Sequence, residues 1–420
     1  MTRSAPAIAL VDVRCMYVSV ERVLDPHLVD RPVIVLSNND GCAVSRSDEA
    51  KQLGISMGQP WFEIRRRPGM REVVARSSNY AEYGAFSSRF HSTVQSLAAA
   101  AEIYSVDEAF VTLPARCDPA TTAGDIQRRV RRWTGLPTSA GLGTTKTLAK
   151  VAQRHAKQIS EPLVDLTAWT PTALDDLLAE TPTDEIWGVG SRLSAGLAKL
   201  DIRTALDLAR ADAGVIRRRW SIVLERTARE LAGIACIPVG FEPRDRQQIM
   251  YSRMLGSPVT TASDMRSVLT QYAAAAGRRL RSHRLEAALM QVWISTSRFQ
   301  DRPLHHSAAV ALDPPAADPL ALIEASRVIL PKMETGRPYN RAGILLTGLT
   351  PAGQQPTLTI APDAARARLA DTIDQITIRH GRHSLGYGPT GLRAPRPWDM
   401  RREYLSQAGT TRWDQMLTVR

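Results

Sequence analysis

Three acidic residues stand where acids are costly. Asp12 closes Ala7-Ile-Ala-Leu-Val-Asp-Val13, an otherwise apolar run. A carboxylate at the end of a buried strand needs a charged partner, a hydrogen-bonding role or a metal. Two readings stay open for Asp12: a ligand, or a cap for the turn that follows. Asp107 and Glu108 stand side by side in Ile103-Tyr-Ser-Val-Asp-Glu-Ala-Phe110. Neighbouring side chains of a regular strand point to opposite faces, so both acids reach one site only if the chain bends there, as at a hairpin tip. Three converging carboxylates can hold two hard cations such as Mg²⁺ through oxygen. Two such metals activate an attacking hydroxyl and stabilise a leaving pyrophosphate. An adjacent Asp-Glu pair by itself is common and mostly solvated.

The lysines form a second group. Six of the 54 basic residues are lysines and the rest arginines, and four of the six are Lys51, Lys146, Lys150 and Lys157. Lysine is a compact point charge that suits phosphate, whereas arginine is a planar fork. At about 100° per residue, Lys146, Lys150 and Lys157 share one face of a helix. Leu148, Val151, Ala152 and His155 share the opposite face, with His155 read as a packing residue. Gly141 and Gly143 precede this helix and permit close backbone approach to a ligand. A lysine face beside carboxylates suits a triphosphate carrying Mg²⁺; a solvated helix face looks the same in sequence. Further on, Pro182-Thr-Asp-Glu-Ile-Trp-Gly-Val-Gly-Ser-Arg-Leu193 has the form of a helix-hairpin-helix. Gly188 and Gly190 there free backbone N–H groups to meet a DNA phosphate. An ordinary connection between two helices is the alternative.

These residues need elements to hold them. Ala7–Val13, Arg31–Ser37 and Thr138–Gly143 read as strands, as do two short runs between Glu102 and Leu113. Asn38-Asn-Asp-Gly41 is a turn signal. A helix is expected over Ser47–Leu53 with Gly54 as its stop, and another from about Thr145. A sheet with helices between its strands makes an α/β or α+β core. From about Thr170 the pattern changes to short helices. Val239–Arg246 reads as a linker. A small α+β unit follows, with helices over Ala262–Arg281 and Pro319–Pro331 and strands over Ala287–Ser295 and Arg341–Leu349. Thr350–Asp363 is rich in Pro, Gly, Gln and Thr and is expected to be flexible. No repeat of solenoid period occurs.

Composition bounds the partners. The 420 residues suggest two to four domains. A net charge of +12 suits a polyanion, nucleic acid first and anionic membrane second. No apolar stretch approaches the roughly 20 residues of a membrane span, and Met1–Leu10 lacks the core of a secretory signal. A cytoplasmic protein is expected. None of the four cysteines, Cys15, Cys42, Cys117 and Cys236, sits at CxxC spacing, which argues against a zinc site or a disulfide framework.

In this order the pieces resemble the Y-family DNA polymerases, most of all their UmuC-like branch, the catalytic-subunit type of DNA polymerase V. Asp12-Val-Arg-Cys-Met-Tyr-Val-Ser-Val-Glu21 and Tyr104-Ser-Val-Asp-Glu-Ala-Phe110 are similar to the two acidic motifs. Arg31-Pro-Val-Ile-Val-Leu-Ser-Asn-Asn-Asp-Gly-Cys42 resembles the UmuC branch. Thr144-Thr-Lys-Thr-Leu-Ala-Lys150, Ile186-Trp-Gly-Val-Gly190 and Met400-Arg-Arg-Glu-Tyr-Leu-Ser406 extend the likeness over nearly the whole chain.

The resemblance implies an α+β multidomain, right-hand polymerase. Its parts would be a palm (1–13 and 77–166), small fingers (14–76), a helix-hairpin-helix thumb (167–238), a linker (239–246), a little finger (247–350) and a C-terminal tail or partner-binding region (351–420). It implies template-directed, error-prone extension past damaged bases, an SOS-type activity, by attack of the primer 3′-OH on the α-phosphate of a dNTP. Asp12, Asp107, Glu108 and the Val13 carbonyl would hold two Mg²⁺. Tyr17 stands at the steric-gate position. Cys15, Met16, Tyr17, Cys42, Val44, Ser45, Lys51 and Lys157 match nucleotide-binding positions, Cys42 and Val44 roofing the base pair. Lys146, Lys150, Gly188, Gly190 and Arg253 are expected on DNA. Implied partners are primer-template DNA, a dNTP, a UmuD-like dimer and the RecA filament. Three departures stand out. Asp48 replaces a Tyr or small residue, and Arg14 replaces an Asn. Gln355-Pro-Thr-Leu-Thr-Ile360 lacks the final aromatic of a sliding-clamp motif, which does not support clamp binding. The other readings are an inactive scaffold on the same fold and a non-enzymatic DNA-binding module. Inactive relatives lack the acidic triad, which is present here. A bare binding module gives no reason for a buried Asp12 or a lysine face.

Overall fold

The N-terminal apolar run becomes strand β1 (Ile8–Val13), buried at every position. A strand apolar on both faces must lie inside a sheet covered on both sides. The computed structural model describes residues 7–113, 117–240, 245–353, 364–381, 384–390 and 396–416. Its chain divides into two compact units: Met1–Ser37, Gly41–Glu242 and Tyr404–Arg420 form one, and Asn38–Asp40 with Pro243–Glu403 the other. The stretch expected to be flexible lies outside the described residues from 354 to 363, as does the degenerate clamp-like segment Gln355–Ile360.

In the first unit β1 is followed by α1 (Met16–Leu24), β2 (Val33–Leu36), β3 (Ala43–Arg46), α2 (Asp48–Gln52), α3 (Trp61–Ile64), β4 (Val74–Ser77), α4 (Tyr80–Gln95), β5 (Ala100–Ile103), β6 (Glu108–Thr112), α5 (Pro119–Thr134), β7 (Thr138–Gly143), α6 (Lys146–Gln158) and β8 (Leu163–Asp165). β1 is the middle strand of a sheet ordered β5-β6-β1-β7-β8, while β3-β2-β4 make a smaller sheet. Strand alternation sorts the sides of β1. Ala9, Val11 and Val13 pack with Phe86 and Phe90 of α4 and Ile126 and Val130 of α5. Ile8 and Leu10 pack with Ala149 of α6. Asp12, in step with Ile8 and Leu10, therefore faces the α6 side.

Gly141 and Gly143 explain how closely α6 lies. A Cβ on Gly141 would fall 2.0 Å from the backbone nitrogen of Gln153 and 2.4 Å from the carbonyl oxygen of Ala149. The expectation that these glycines clear space for a ligand is corrected: they clear it for the helix backbone. The apolar face of α6, Leu148, Val151, Ala152 and Ala156, runs into the core of the short helices that follow. These are α7 (Pro171–Glu180), α8 (Ser191–Ala198), α9 (Ala205–Arg210), α10 (Ala213–Arg219) and α11 (Ile222–Leu231). Thr170, Thr204, Asp212 and Ser221 each accept a hydrogen bond from a first-turn N–H. This spacing of caps accounts for the brevity of the helices.

The second unit contains β9 (Gln248–Val259), α12 (Ala262–Ser282), β10 (Leu285–Thr296), β11 (His305–Ala316), α13 (Pro319–Ser326), β12 (Tyr339–Pro351) and α14 (Ala364–His380). The sheet is ordered β11-β10-β12-β9. Met265, Leu269, Ala276 and Leu280 of α12 join Met290, Ile294, Ile344 and Leu346 of the sheet in one core. Strands β9 and β11 escaped the sequence reading. Both are edge strands, half exposed, and they contain Pro258 and Pro314-Pro315. Edges tolerate proline and need no apolar alternation.

Candidate active site

The bend that the two acids require is present. The N–H groups of Tyr104 and Ser105 both donate to the carbonyl of Glu108, at 3.1 and 3.2 Å. This closes the β5–β6 hairpin just before β6 begins. Val13 N–H donates to the carbonyl of Asp107 at 2.9 Å, and Asp12 stands directly across from Glu108 in the β1–β6 register. The Ser105 hydroxyl lies 2.6 Å from Asp107 Oδ1 and 3.4 Å from Glu108 Oε2, so one donor touches both acids. The hairpin thus brings Asp107 and Glu108 beside Asp12.

The side chains at this point are spread over cations. Lys157 Nζ lies 2.9 Å from Asp12 Oδ1 and Lys150 Nζ 2.8 Å from Glu108 Oε1. Beyond this ion pair no hydrogen bond reaches the buried Oδ1 of Asp12. Burial pushes the Asp12 carboxyl up to about 7; Lys157 opposes the shift, and Glu108 and Asp107 add to it. Among the described residues no three His, Cys, Asp or Glu side chains are oriented as a metal cage. The donor set itself is all oxygen, it includes a buried carboxylate oxygen held only by an ion pair, and it is balanced by two lysine ammoniums. Such a set fits hard divalent cations once the lysines turn aside. The Lys157 side chain is 45% exposed and has room to do so.

The lysine helix keeps lysines on one face and apolar residues on the other, and each of its three lysines meets an acid. Thr145 caps α6 as its spacing suggests, but the three lysines point toward the strand tips. Lys146, expected on DNA, is 2% exposed. It is paired with Glu102 and lies 5.0 Å from the Phe110 ring centroid. Lys150, also expected on DNA, sits 4.5 Å from the Tyr104 ring centroid and 5.8 Å from that of Trp187. Both are held inward because the opposite, apolar face of α6 is taken by the helical core. A buried pair that loses one partner keeps an uncompensated charge. Lys146→Ala is therefore expected to destabilise the unit by about 3 kcal/mol, and Lys146→Met together with Glu102→Gln by much less. Thermal denaturation of the variants checks this.

The nucleotide-binding candidates gather at the start of α1. Cys15 precedes the helix in a left-handed conformation, φ 45°. The first-turn N–H groups of the helix have no intrahelical acceptor and suit a phosphate. The Met16 side chain is buried, so a ligand here would meet its backbone N–H. Lys51 reaches Cys15 Sγ at 3.4 Å. Asp48 lies 2.7 Å from Lys51 and 3.4 Å from Arg14. The hydrogen bond from Lys51, with further help from Arg14, holds the Asp48 carboxyl below its ordinary value. The two departures at 14 and 48 thus compensate each other. Val44 and Ser45 lie on β3, which packs on α1, and Cys42 immediately precedes it.

Tyr17 stacks on Tyr83 with ring centroids 4.4 Å apart and planes 12° from parallel. Sequence reading missed Tyr83, along with Ser105, Tyr104 and Trp187; the Trp187 indole N–H donates to the Tyr104 hydroxyl at 2.8 Å. Only the motifs around Tyr104 and Trp187 signalled any of these. In the hairpin, Gly188 has φ 83°, a left-handed value that favours glycine, and Gly190 immediately precedes α8. In the second unit Arg253 is exposed on β9 with its guanidinium 5.2 Å from the Tyr251 ring centroid. A cleft of about 380 Å³ lies elsewhere, among Leu200, Ile202, Arg210 and Val215.

Residues 11–154 match the model of the impB/mucB/samB family, and residues 246–358 match that family's C-terminal domain. The ImpB protein of Salmonella typhimurium is 40% identical over 96% of this chain and 97% of its own length. This chain belongs to the impB/mucB/samB family. UmuC of Salmonella typhimurium is 37% identical over 98% of this chain and all of its own, which makes this family member a UmuC-like Y-family DNA polymerase. DNA polymerase IV of Moorella thermoacetica is more distant, 28% identical over 91% of this chain and 95% of its own. A solved Y-family DNA polymerase chimera of Dbh and Dpo4 superposes with a TM-score of 0.66 at 20% identity, covering 81% of this chain and 98% of its own. The fold is that of the right-hand polymerases. Residues 367–419 match a domain of unknown function. No helix among the described residues is long and apolar enough to cross a membrane.

Proposed function

We propose that this family member extends primers on damaged DNA templates, with Asp12, Asp107, Glu108 and the Val13 carbonyl holding two Mg²⁺. The observation that carries the site assignment is the hairpin that sets Asp107 and Glu108 beside the buried carboxylate of Asp12. When bound, the metals lower the pKa of the primer 3′-OH and neutralise charge on the departing pyrophosphate. The rest falls to the chain. Lys157, Lys51 and the first-turn N–H groups of α1 bind the triphosphate. Lys150 and Lys157 leave their carboxylates as the substrate arrives, so that positive charge stays in the site throughout. Tyr17 stands under the sugar and excludes a 2′-OH. Cys42 and Val44 roof the nascent pair, and Ser45 lines it.

The five-stranded sheet then serves as palm, the smaller sheet as fingers, α7 to α11 as thumb and the second unit as little finger. Gly188, Gly190 and Arg253 meet the duplex backbone. The charge of +12 makes that grip fall steeply with salt. The implied cellular partners are a UmuD-like dimer and the RecA filament, acting on the nucleoid. The test is extension of a primer across a single abasic site by the full chain, with Mg²⁺ and dNTPs, alone and with those partners. Full-length product is expected. DNA binding that is indifferent to Mg²⁺ and dNTP, with no extension under either condition, would rule the reading out.

A further inference from the structure

Two buried carboxylates have no part in this mechanism. Glu21 on α1 and Glu82 on α4 are both fully buried. Burying a carboxylate is costly unless donors satisfy it, and the donors here come largely from the far end of the chain. Ser406 Oγ donates to Glu21 Oε1 at 3.1 Å. The Thr410 and Thr411 hydroxyls both donate to Glu82. The segment is pinned upstream as well. Tyr404 N–H donates to Ser77 Oγ at 2.9 Å and Ser77 N–H to the Tyr404 carbonyl at 3.0 Å. This sets Leu405 parallel to Ser77 at the end of β4. Asn79 Nδ2 donates to Ser406 Oγ at 3.1 Å. Residues 404–411 therefore form a strap across the first unit, and they lie within the matched domain of unknown function.

The strap does more than cover polar groups. The oxygen of Glu21 that accepts from Ser406 also accepts from the Tyr83 hydroxyl, at 2.7 Å. Tyr83 is the ring stacked against Tyr17. A continuous series of contacts runs from Ser406 through Glu21 and Tyr83 to Tyr17. We infer that Ser406, Glu21 and Tyr83 are positioning residues for sugar selection, the C-terminal strap holding the plane of the Tyr17 ring through them. The inference rests on the reading of Tyr17 as the sugar gate. A gate excludes a 2′-OH only if its ring cannot tilt away. Tyr17 is partly exposed, so the rigidity must come from its buried neighbour. Tyr83 can supply it because its hydroxyl is fixed at the far end of the ring.

The test compares incorporation of rCTP and dCTP opposite template dG by the full chain. Ser406→Ala and Tyr83→Phe each remove one hydrogen bond from Glu21. Each is expected to raise the relative kcat/KM for rCTP by about three- to tenfold, the size of one hydrogen bond, with kcat for dCTP within about twofold of wild type. Ser406→Thr keeps the hydroxyl and should restore selectivity. Thr410→Val loosens the same strap at Glu82 and should lower Tm without changing selectivity. Tyr17→Ala should relax selectivity further, and adding Ser406→Ala to it should do nothing more. If Tyr17→Ala relaxes selectivity while Ser406→Ala and Tyr83→Phe remain as selective as wild type, the strap is structural only and the inference falls. If Tyr17→Ala itself stays selective, the gate reading falls and takes the inference with it.

Discussion

The Asp107→Ala and Glu108→Ala double variant loses primer extension by at least about 10³-fold while its Tm stays equal to wild type or rises. The first half follows from the chemistry. Nucleotidyl transfer develops charge on the attacking and departing oxygens, and the two acids are the main means of keeping cations there. The second half follows from the electrostatics of the resting site. Asp12 is buried beside Glu108 and Asp107, and both of them push its carboxyl further up. Removing them relieves like-charge repulsion. It also frees Lys150, whose ammonium still has the faces of Tyr104 and Trp187. A site strained for function should gain stability when the function is removed. Steady-state primer extension and differential scanning calorimetry make the pair of measurements. Retained extension would sink the proposed metal site. A large fall in Tm would mean that the acids are structural.

The second large effect belongs to a residue that touches no substrate. Gly141→Ala places a methyl 2.0 Å from the backbone nitrogen of Gln153 and 2.4 Å from the carbonyl of Ala149. Neither neighbour is the end of a flexible side chain, so α6 must lift away from β7. Overpacking against rigid backbone costs roughly 3 kcal/mol or more. In a unit of this size that lowers Tm by about 6 °C or more. Because α6 carries Lys150 and Lys157, primer extension should fall as well. Gly143→Ala, whose Cβ would meet Ala149 N and Leu148 Cβ at 2.8 Å, should act in the same direction. A Gly141→Ala protein that melts within about 2 °C of wild type would show that the helix has slack that the structure denies it.

Much of this site can be read from the chain. A continuous apolar run marks β1, and the acid at its end is conspicuous because burial makes it so. Two short apolar runs flanking Asp107-Glu108 leave room for a hairpin. Thr145 before a periodic segment marks the start of α6. Periodicity also separates the lysines of α6 from its apolar residues. It does not say how far each side is buried, and here the lysine face runs from buried Lys146 to exposed Lys157. Lys146 lies inside because its helix is sandwiched, a fact about its neighbours. The same holds for Gly141, whose neighbour is α6 itself.

The C-terminal strap is the clearest case of what periodicity cannot show. Tyr404 to Thr411 has no amphipathic pattern, and Ser406 and Glu21 are 385 positions apart. The sequence alone determined the chemistry available: three acids, a few lysines, a tyrosine and the elements that carry them. These follow from local rules, since strand and helix periods and turn residues act over a few positions. Tertiary structure decided which lysine meets which acid, which glycine yields to which helix, and what stands behind the gate. Each of those outcomes depends on contacts between distant segments that are weak singly and become decisive only when the whole core has packed.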